Sequence, residues 1–571
     1  RTVRTEARIE QILSLDVEKK KPLRIEKTIS VHTSRDWAIS EPLAATRNAL
    51  HRAGRWEDLR DSHRLAWEHI WDRADIRIDG TDEEAQLLLR FNVFHLIQTT
   101  SMNVIDLDVG VPARGLHGEA YRGHIFWDEL FIFPLLNFRF PEVTRSLLMY
   151  RYRRLNEARH LAIEAGHEGA MFPWQSGSDG REESQVLHLN PKSGRWIPDD
   201  THRQRHINAA IAYNVWQYFQ VTDDREFLSF YGAEMLLEVA RFWASISTYD
   251  ADRERYEIHH VVGPDEFHTR YPGAESSGLS NNAYTNVMAC WTLGTACRAF
   301  EMLSEDCRVE ISERLGITDD EFERWDHISR KMFIPFHGDG IISQFEGYAD
   351  LEELDWEGYR EKYGDIQRLD RILEAEGDSP NRYKAGKQAD VLMLFYLFSA
   401  EELGDLFERL GYRFDRDLIP RNIDYYTRRS SDGSTLSRVV HSWVLARSER
   451  ERAWELFLSA LGSDLSDIQG GTTAEGIHLG ALAGSVDLMQ RGHTGIDVRD
   501  DVLWLNPCLP EQLEELRLGI RYRGHWLSLV IHRNRFSITA EKGWAKPVQI
   551  GVHDTIHSLK QGQSRSFSIR C

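Results

Sequence analysis

Ile207-Asn-Ala-Ala-Ile-Ala-Tyr-Asn-Val-Trp-Gln-Tyr-Phe-Gln-Val-Thr222 decides the fold class. Ile207, Ala210, Ile211, Asn214, Val215, Tyr218 and Phe219 recur at three- and four-residue spacing, which puts them on one helical face for three turns. Thr222-Asp223-Asp224 then supplies a stop and the cap of a following helix. The same period predicts helices at about 141–164, 225–248, 281–303, 308–333, 387–411, 437–462 and 474–491, and another through Leu87, Leu88, Phe91, Phe94 and Ile97. About a dozen helices fall between 80 and 495, joined by Gly- and Pro-bearing loops longer than the two to eight residues usual in bundles. That pattern predicts a mainly α protein, a toroid of helix pairs with the loops at one end forming a cleft. A solenoid would show a fixed repeat, and none is present.

Toward the ends the period changes. Ile12 to Val31 alternates apolar and polar residues around Lys19 to Lys21 and reads as a strand pair, and Pro42 to Trp71 reads as a helical connector. Leu516, Leu518, Ile520 and Tyr522 alternate with Arg517, Gly519, Arg521 and Arg523, so a small β domain closes the chain.

With 571 residues, 41% hydrophobic and 28% charged, the composition is that of a globular protein large enough for a deep cleft. A formal charge of -20 repels phosphate backbones and anionic lipid, which argues against nucleic acid or a membrane surface as main partner and for a neutral small molecule. Seventeen Trp and nineteen Tyr offer flat faces that suit sugar rings, although most must be core residues. Cys290, Cys297, Cys307, Cys508 and Cys571 are odd in number and form no framework, so they read as reduced thiols of a cytoplasmic protein. No apolar run has the length of a membrane span, and the first residues lack the apolar core of a signal peptide. Without an initiator Met, the chain is expected to begin inside a longer precursor.

Several loop motifs combine acids, amides and aromatics. Gly123-His-Ile-Phe-Trp-Asp-Glu129 sets the Trp127 ring beside the Asp128 acceptor, and Trp174 sits in a second loop with Gln175 and Ser176. Val261-Val-Gly-Pro-Asp-Glu-Phe-His268 presents Asp265 and Glu266 on a turn between apolar segments, where burial and like charge could raise one carboxyl as a general acid requires. Taken alone, two solvated acids on a turn is the simpler reading. Lys387 and Gln388 precede an apolar helix, an electrostatically poor place for a Lys unless a ligand or an acid is its partner. Ser430 to Ser437 is rich in donors and fits either an anion nest or a capped helix start. Glu475, in Glu475-Gly-Ile-His478, supplies a second carboxylate, as glycoside cleavage by two acids demands. His259 and His260 lack zinc spacing, so no metal and no cofactor is expected.

In this order, Gly123 to Glu129, Gly263-Pro-Asp-Glu-Phe-His268, Asn281-Asn-Ala-Tyr-Thr-Asn286, Lys387-Gln-Ala-Asp390 and Glu475-Gly-Ile-His478 resemble glycoside hydrolase family 65, the family of the maltose, trehalose, kojibiose and nigerose phosphorylases and some hydrolases. The resemblance implies an (α/α)6 barrel at 79–500, preceded by closing strands of a mostly absent β-sandwich at 1–35 and a helical linker at 36–78, and followed by a β-sheet domain at 501–571. It also implies Glu266 as general acid, Trp127 and Asp128 around the glucosyl ring, Lys387 and Gln388 on sugar hydroxyls, and Gly433-Ser434-Thr435 on phosphate. Trp174 and His478 join them as candidate substrate contacts. The expected activity is inverting phosphorolysis of an α-linked glucose disaccharide of trehalose, kojibiose, nigerose or maltose type, giving β-glucose 1-phosphate with inorganic phosphate as co-substrate. Inverting hydrolysis with Glu475 as base for water is the alternative, and a non-catalytic sugar-binding protein the distant one. Homodimers are common in that family. One position departs from its pattern: Asp432 stands where its phosphorylases usually carry His, and a carboxylate facing phosphate would repel it. Either Asp432 points away, with Arg438 or Arg429 compensating, or phosphate is not the acceptor.

Overall fold

The computed structural model describes residues 1–569 apart from Trp37, Asp82 and Gln469. Cys571 therefore lies outside the described residues. The chain forms two compact units, Arg1–Asp72 and Arg73–Cys571.

In the first unit the helical connector is present as Pro42–Arg52, which starts on its proline, and Trp56–Ala74, whose first turn carries Glu57 and Asp58 at the positive end of the helix dipole. The strand pair expected over 12–31 does not form among the described residues. The ladder runs instead between Thr2–Thr5 and Arg8–Gln11, in antiparallel register from Thr2↔Gln11 to Thr5↔Arg8. Alternation makes a strand only where a neighbouring edge completes its hydrogen bonds and one face is buried, and Leu23, Ile25, Ile29 and Val31 are all exposed.

The second unit is built on the helical toroid. Among the described residues, six inner helices run Glu129–Asn137, Ile207–Thr222, Ala283–Glu301, Leu392–Leu397, Thr435–Leu445 and Leu479–Asp487, and the last packs against the first to close the ring. Each is preceded by an outer helix, as Arg450–Leu461 precedes Leu479–Asp487, so the unit is an (α/α)6 barrel. Burial separates the two rings. Every residue of Glu129–Asn137, Leu392–Leu397 and Leu479–Asp487 is buried, the all-round apolar signature of a core helix. Arg450–Leu461 buries only Ala453, Trp454, Phe457, Ala460 and Leu461, one stripe of an amphipathic helix.

Several sequence-predicted helices are broken by capping chemistry. The stretch 308–333 divides into Glu305–Leu315 and Asp319–Lys331 at Gly316, which takes a left-handed φ of 63° as the C-terminal stop. The stretch 387–411 divides at Ser399, which forms a reciprocal capping box with Glu402 ahead of Ala400–Arg409. As expected, Asp223 ends Ile207–Thr222 in the left-handed region, and the Asp224 carboxylate caps the next turn by accepting from the Phe227 N–H at 2.9 Å.

Behind the barrel, Glu515–Tyr522, His525–His532, Arg535–Ala540 and Ser564–Ser568 form an antiparallel sheet that buries Leu516, Leu518, Ile520 and Tyr522. Its fifth strand, Ile76–Asp79, comes from before the barrel and pairs with Glu515–Tyr522. A second sheet begins at Asp497–Arg499, ahead of the expected boundary at 501. The toroid is thus pinned at both chain ends by one sheet, and its opposite end is left to the long loops.

Candidate active site

Those loops enclose a cleft of about 460 Å³. Its floor is the start of Glu129–Asn137. Trp127 and Trp174 stand 5.9 Å apart between ring centroids at 50°, and the His206 ring lies 5.0 Å and 5.1 Å from them. His206 is fully buried, and burial lowers its imidazole to about 3, so it packs as a neutral ring. Beside Trp127 the Asp128 carboxyl opens onto the cleft, while its neighbour Glu129 turns inward and pairs with the buried Arg151 at 2.9 Å. Burial raises the Asp128 carboxyl, the Arg114 guanidinium opposes this, and the nearby Glu266 charge adds to it, leaving the group at about 6. Room for it depends on Gly480, where an added Cβ would lie 2.9 Å from Asp128 Oδ1.

Glu266 faces the cleft from the opposite wall. Its backbone adopts φ 62°, in the left-handed region that non-glycine residues seldom occupy, and such strain clusters at functional positions. The Lys387 ammonium donates to Glu266 Oε2, and Gln388 Nε2 reaches Oε1 at 3.4 Å. Burial alone would lower Lys387, but the Glu266 carboxylate outweighs it and holds the ammonium above its ordinary value. The acidic partner that a Lys ahead of an apolar helix called for is therefore Glu266. Asp265 is wholly buried and points away from the cleft, 2.6 Å from His268 Nδ1, so the two carboxyls of the turn face opposite sides.

Gly433, Ser434 and Thr435 form the cleft wall next to Lys387, whose carbonyl accepts from the Gly433 N–H at 2.9 Å. Ser434 caps Thr435–Leu445, so this stretch is a capped helix start that also borders the cleft. Asp432 lies outside that wall. Its Oδ1 accepts from Ser430 Oγ at 2.8 Å and stands 3.2 Å from His441 Nδ1. Burial would raise the Asp432 carboxyl, but His441 outweighs it, with help from Ser430 and Arg438, and holds the group below its ordinary value. Arg429 takes no part, being engaged with Glu353 at 2.9 and 3.1 Å.

Glu475 lies exposed at the cleft mouth on the short turn Thr473–Glu475. Arg114 Nη1 donates to Gly476 O at 2.7 Å and Thr472 O at 3.2 Å, clamping this loop to the segment that leads into Trp127. His478 Nδ1 is 2.7 Å from Asp464 Oδ1, and its ring borders the cleft with Nε2 buried. All the sequence-predicted site residues thus lie on one cleft. Sequence reading missed Arg114, Arg368, Asp370 and Arg371, which also line it, with Arg368 paired to Asp370 at 3.0 and 2.6 Å. Arg368 and Asp370 flank the start of Leu369–Glu376, at its N-cap and in its first turn, and no aromatic or glycine punctuation marks them out. A larger groove, about 1030 Å³, lies on the outside of the barrel, where Arg159 and Arg241 pair with Glu234, Glu238 and Glu321 in a self-neutralising network. Among the described residues no cluster of His, Cys, Asp and Glu is arranged to hold a metal, and no helix is long and apolar enough to cross a membrane.

Comparison with known proteins fixes the family. Residues 90–487 match the glycosyl hydrolase family 65 central catalytic domain, residues 496–559 its C-terminal domain and residues 1–70 its N-terminal domain. The chain belongs to glycosyl hydrolase family 65. An uncharacterized glycosyl hydrolase of Mycobacterium tuberculosis (strain ATCC 25618 / H37Rv) is 54% identical over 540 residues, covering 95% of this chain, and the chain spans 40% of that relative's length. Trehalose 6-phosphate phosphorylase of Lactococcus lactis subsp. lactis is 36% identical over 563 residues, 98% of this chain and 70% of the relative. A solved structure from the human microbiome, provisionally described as a kojibiose phosphorylase, superposes with a TM-score of 0.76 at 24% identity, over 93% of this chain and 72% of that one. It shares the family 65 fold.

Proposed function

We propose that this chain is an inverting α-glucoside phosphorylase, transferring the glucosyl group of an α-linked disaccharide to inorganic phosphate and releasing β-glucose 1-phosphate. One observation carries the choice of acceptor: the Asp432 carboxylate is turned toward Ser430 and His441, so the wall at Gly433-Ser434-Thr435 presents a helix start without the repulsion that Asp432 threatened in sequence. A helix N-terminus is suited to bind phosphate. Names among the relatives, including trehalose 6-phosphate phosphorylase and kojibiose phosphorylase, support the same reading.

In this reading Asp128 accepts from hydroxyls of the glucosyl ring, and Trp127 and Trp174 form its apolar wall. Glu266, an ion-pair partner of Lys387 in the free chain, must take up a proton in the substrate complex, and it gives that proton to the departing glycosidic oxygen. A phosphate oxygen forms the new bond to C1 from the opposite face as the old bond breaks, so the configuration inverts and the electron pair leaves with the protonated sugar. Hydrolysis remains a second reading because Glu475 also offers a carboxylate on the cleft, where water could be the nucleophile.

The test is product analysis with trehalose, kojibiose, nigerose, maltose and trehalose 6-phosphate, with and without phosphate, following the first anomer by NMR. Phosphate-dependent β-glucose 1-phosphate is the expected product. Phosphate-independent β-glucose, lost in Glu475→Gln, would replace phosphorolysis by hydrolysis, and an α-anomer would refute both routes.

A further inference from the structure

Behind Glu266 lies a buried polar cluster for which the chemistry above has no use. It joins three distant motifs: Asp265 and His268, Asn282, and Asp390. Asp265, His268 and Asn282 are wholly buried and Asp390 nearly so. An apolar filling of the same volume would cost less, since every buried polar atom needs a partner. The cluster lies directly beneath the turn that carries Glu266 and ties it to neighbouring elements of the barrel.

The Asp390 carboxyl is packed against the foot of the turn, so close that a Cβ on Gly263 would meet its Oδ2. Asn282 Nδ2 donates to the same carboxyl at 3.1 and 3.2 Å, while Asn282 Oδ1 accepts from the Thr285 N–H at 2.9 Å as the cap of Ala283–Glu301. Asp390 is thereby fastened to the start of an inner helix. On the other side of the turn, the Asp265 carboxylate reaches His268 Nδ1, and His268 Nε2 faces Tyr383 O at 2.8 Å. The remaining carbonyls are held too: Gly263 O accepts from Gln204 Nε2, and Pro264 O from Gln388 Nε2. Gly263 has no side chain for a visible reason, because a Cβ there would stand 2.3 Å from Asp390 Oδ2. The backbone of the next residue but two, Glu266, is the one in the left-handed region.

We infer that Asp390 is a positioning residue for the proton donor: packed against Gly263 and tied to the Asn282-capped inner helix, it holds the strained turn that aims Glu266 into the cleft. Two further facts support this. Burial and the charge of Asp265 push the Asp390 carboxyl well above its ordinary value, a cost that a purely structural filler would avoid. Gln388, two residues before Asp390, holds both Pro264 O and Glu266 Oε1, so one segment grips the turn on its core side and its cleft side.

The inference rests on Glu266 being the proton donor, and the experiment separates the two ideas. Asp390→Ala and Asp390→Asn are assayed on the disaccharide that the native chain turns over and on α-D-glucosyl fluoride, whose fluoride leaves without needing a proton. Misplacing a reacting group by about 1 Å costs on the order of 10²-fold. Asp390→Ala is therefore expected to lose about 10²-fold in kcat on the disaccharide with KM changed less than about threefold, while fluoride turnover stays within about threefold. Asp390→Asn keeps the bulk under Gly263 and a carbonyl acceptor for Asn282, and is expected to recover most of the loss. If Asp390→Ala does not fold, His268→Gln, which loosens the grip on the Asp265 carboxylate without opening a large cavity, carries the same selectivity at about tenfold. Equal loss on both donors, or full disaccharide turnover by Asp390→Ala, overturns the inference. A crystal structure of the same variant decides the case without turnover: a turn unmoved, with Glu266 still left-handed and paired to Lys387, refutes the positioning role. A displaced turn in a chain whose native form cleaves neither donor refutes the functional reading alone.

Discussion

Asp128 is the residue whose stability cost and functional use should be separable in one variant. Asp128→Asn preserves size and hydrogen-bonding capacity and removes the charge. Burial and Glu266 hold its carboxyl at about 6 against an ordinary 3.8, the Arg114 guanidinium only partly opposing them. At ~1.4 kcal/mol per pH unit, ionising it in the folded chain at neutral pH costs roughly 3 kcal/mol relative to the unfolded chain. Because the carboxyl borders the cleft and part of it meets solvent, about 2 kcal/mol is the expected measurable figure.

The sign follows from linkage. A carboxyl whose folded pKa is raised favours the folded state below its unfolded pKa, and that advantage is lost as pH rises toward the folded value. Asp128→Asn should therefore match the native chain near pH 4, gain on it through the window between 3.8 and about 6, and keep a constant lead above. For a chain of this length a 2 kcal/mol gain moves Tm by only about 2 °C, so denaturant titration at pH 5 and pH 8 is the better assay. Turnover should fall steeply in the same variant, since Asp128 accepts from substrate hydroxyls in the proposed complex. A variant less stable than the native chain at pH 8, or a lead equal at pH 5 and pH 8, would refute the assignment of Asp128 as a destabilised cleft carboxyl.

Glu266→Gln keeps the contact with Lys387 and loses the transferable proton, so kcat on unactivated disaccharides is expected to drop by about 10²–10⁴-fold in a steady-state assay. Ser434→Ala should raise the KM for phosphate well above any change in the KM for sugar, and an unchanged phosphate KM would remove the helix start from the phosphate site. Gly480→Ala introduces a Cβ that would lie 2.9 Å from Asp128 Oδ1, so it should mimic part of the Asp128→Asn activity loss in a fold of near-native Tm. Below about pH 6 the native enzyme should show a rising sugar KM as Asp128 takes up a proton, and Asp128→Asn should lack that limb of the pH profile.

Much of the architecture was readable from periodicity because a core helix buries all sides and an outer helix one stripe. The three- and four-residue spacing marks Ile207–Thr222 as a helix even though it is an inner one buried on nearly all sides, whereas Glu129–Asn137, apolar almost throughout, escapes that reading. Breaks were harder to see. Ser399 with Glu402, and Gly316, are short capping signals inside stretches whose apolar period continues through them. The reading failed at 12–31 because alternation records the capacity to pair, whereas a strand also needs an edge to pair with. Strand Ile76–Asp79 escaped for the converse reason: four residues after a long helix carry little pattern, and their partner lies more than four hundred residues away at Glu515–Tyr522.

At the site, sequence order conceals a division of labour between adjacent residues. Asp128 opens to the cleft while Glu129 pairs with Arg151 in the core. Glu266 faces Lys387 while Asp265 faces His268, and Ser434 borders the cleft while Asp432 turns to His441. In the first two pairs the neighbouring carboxylates are interchangeable from sequence alone, and in the third a carboxylate stands two residues before the working serine. A loop at the mouth of a barrel has one wet side and one dry side, so neighbouring residues fall on opposite sides whenever the backbone turns sharply. The left-handed backbones at Glu266 and Asp432 mark two of those turns. What makes the motifs dense in acids is therefore two demands on one short segment: a group to meet the substrate, and a second, internally paired group to hold the segment against the core. This explains why Asp432 need not bar phosphate, since its charge is spent on His441 and Arg438 behind the wall. It also sets a direct test: His441→Leu should strand the Asp432 carboxylate and raise the phosphate KM, while Asp432→Asn in the same background should restore it.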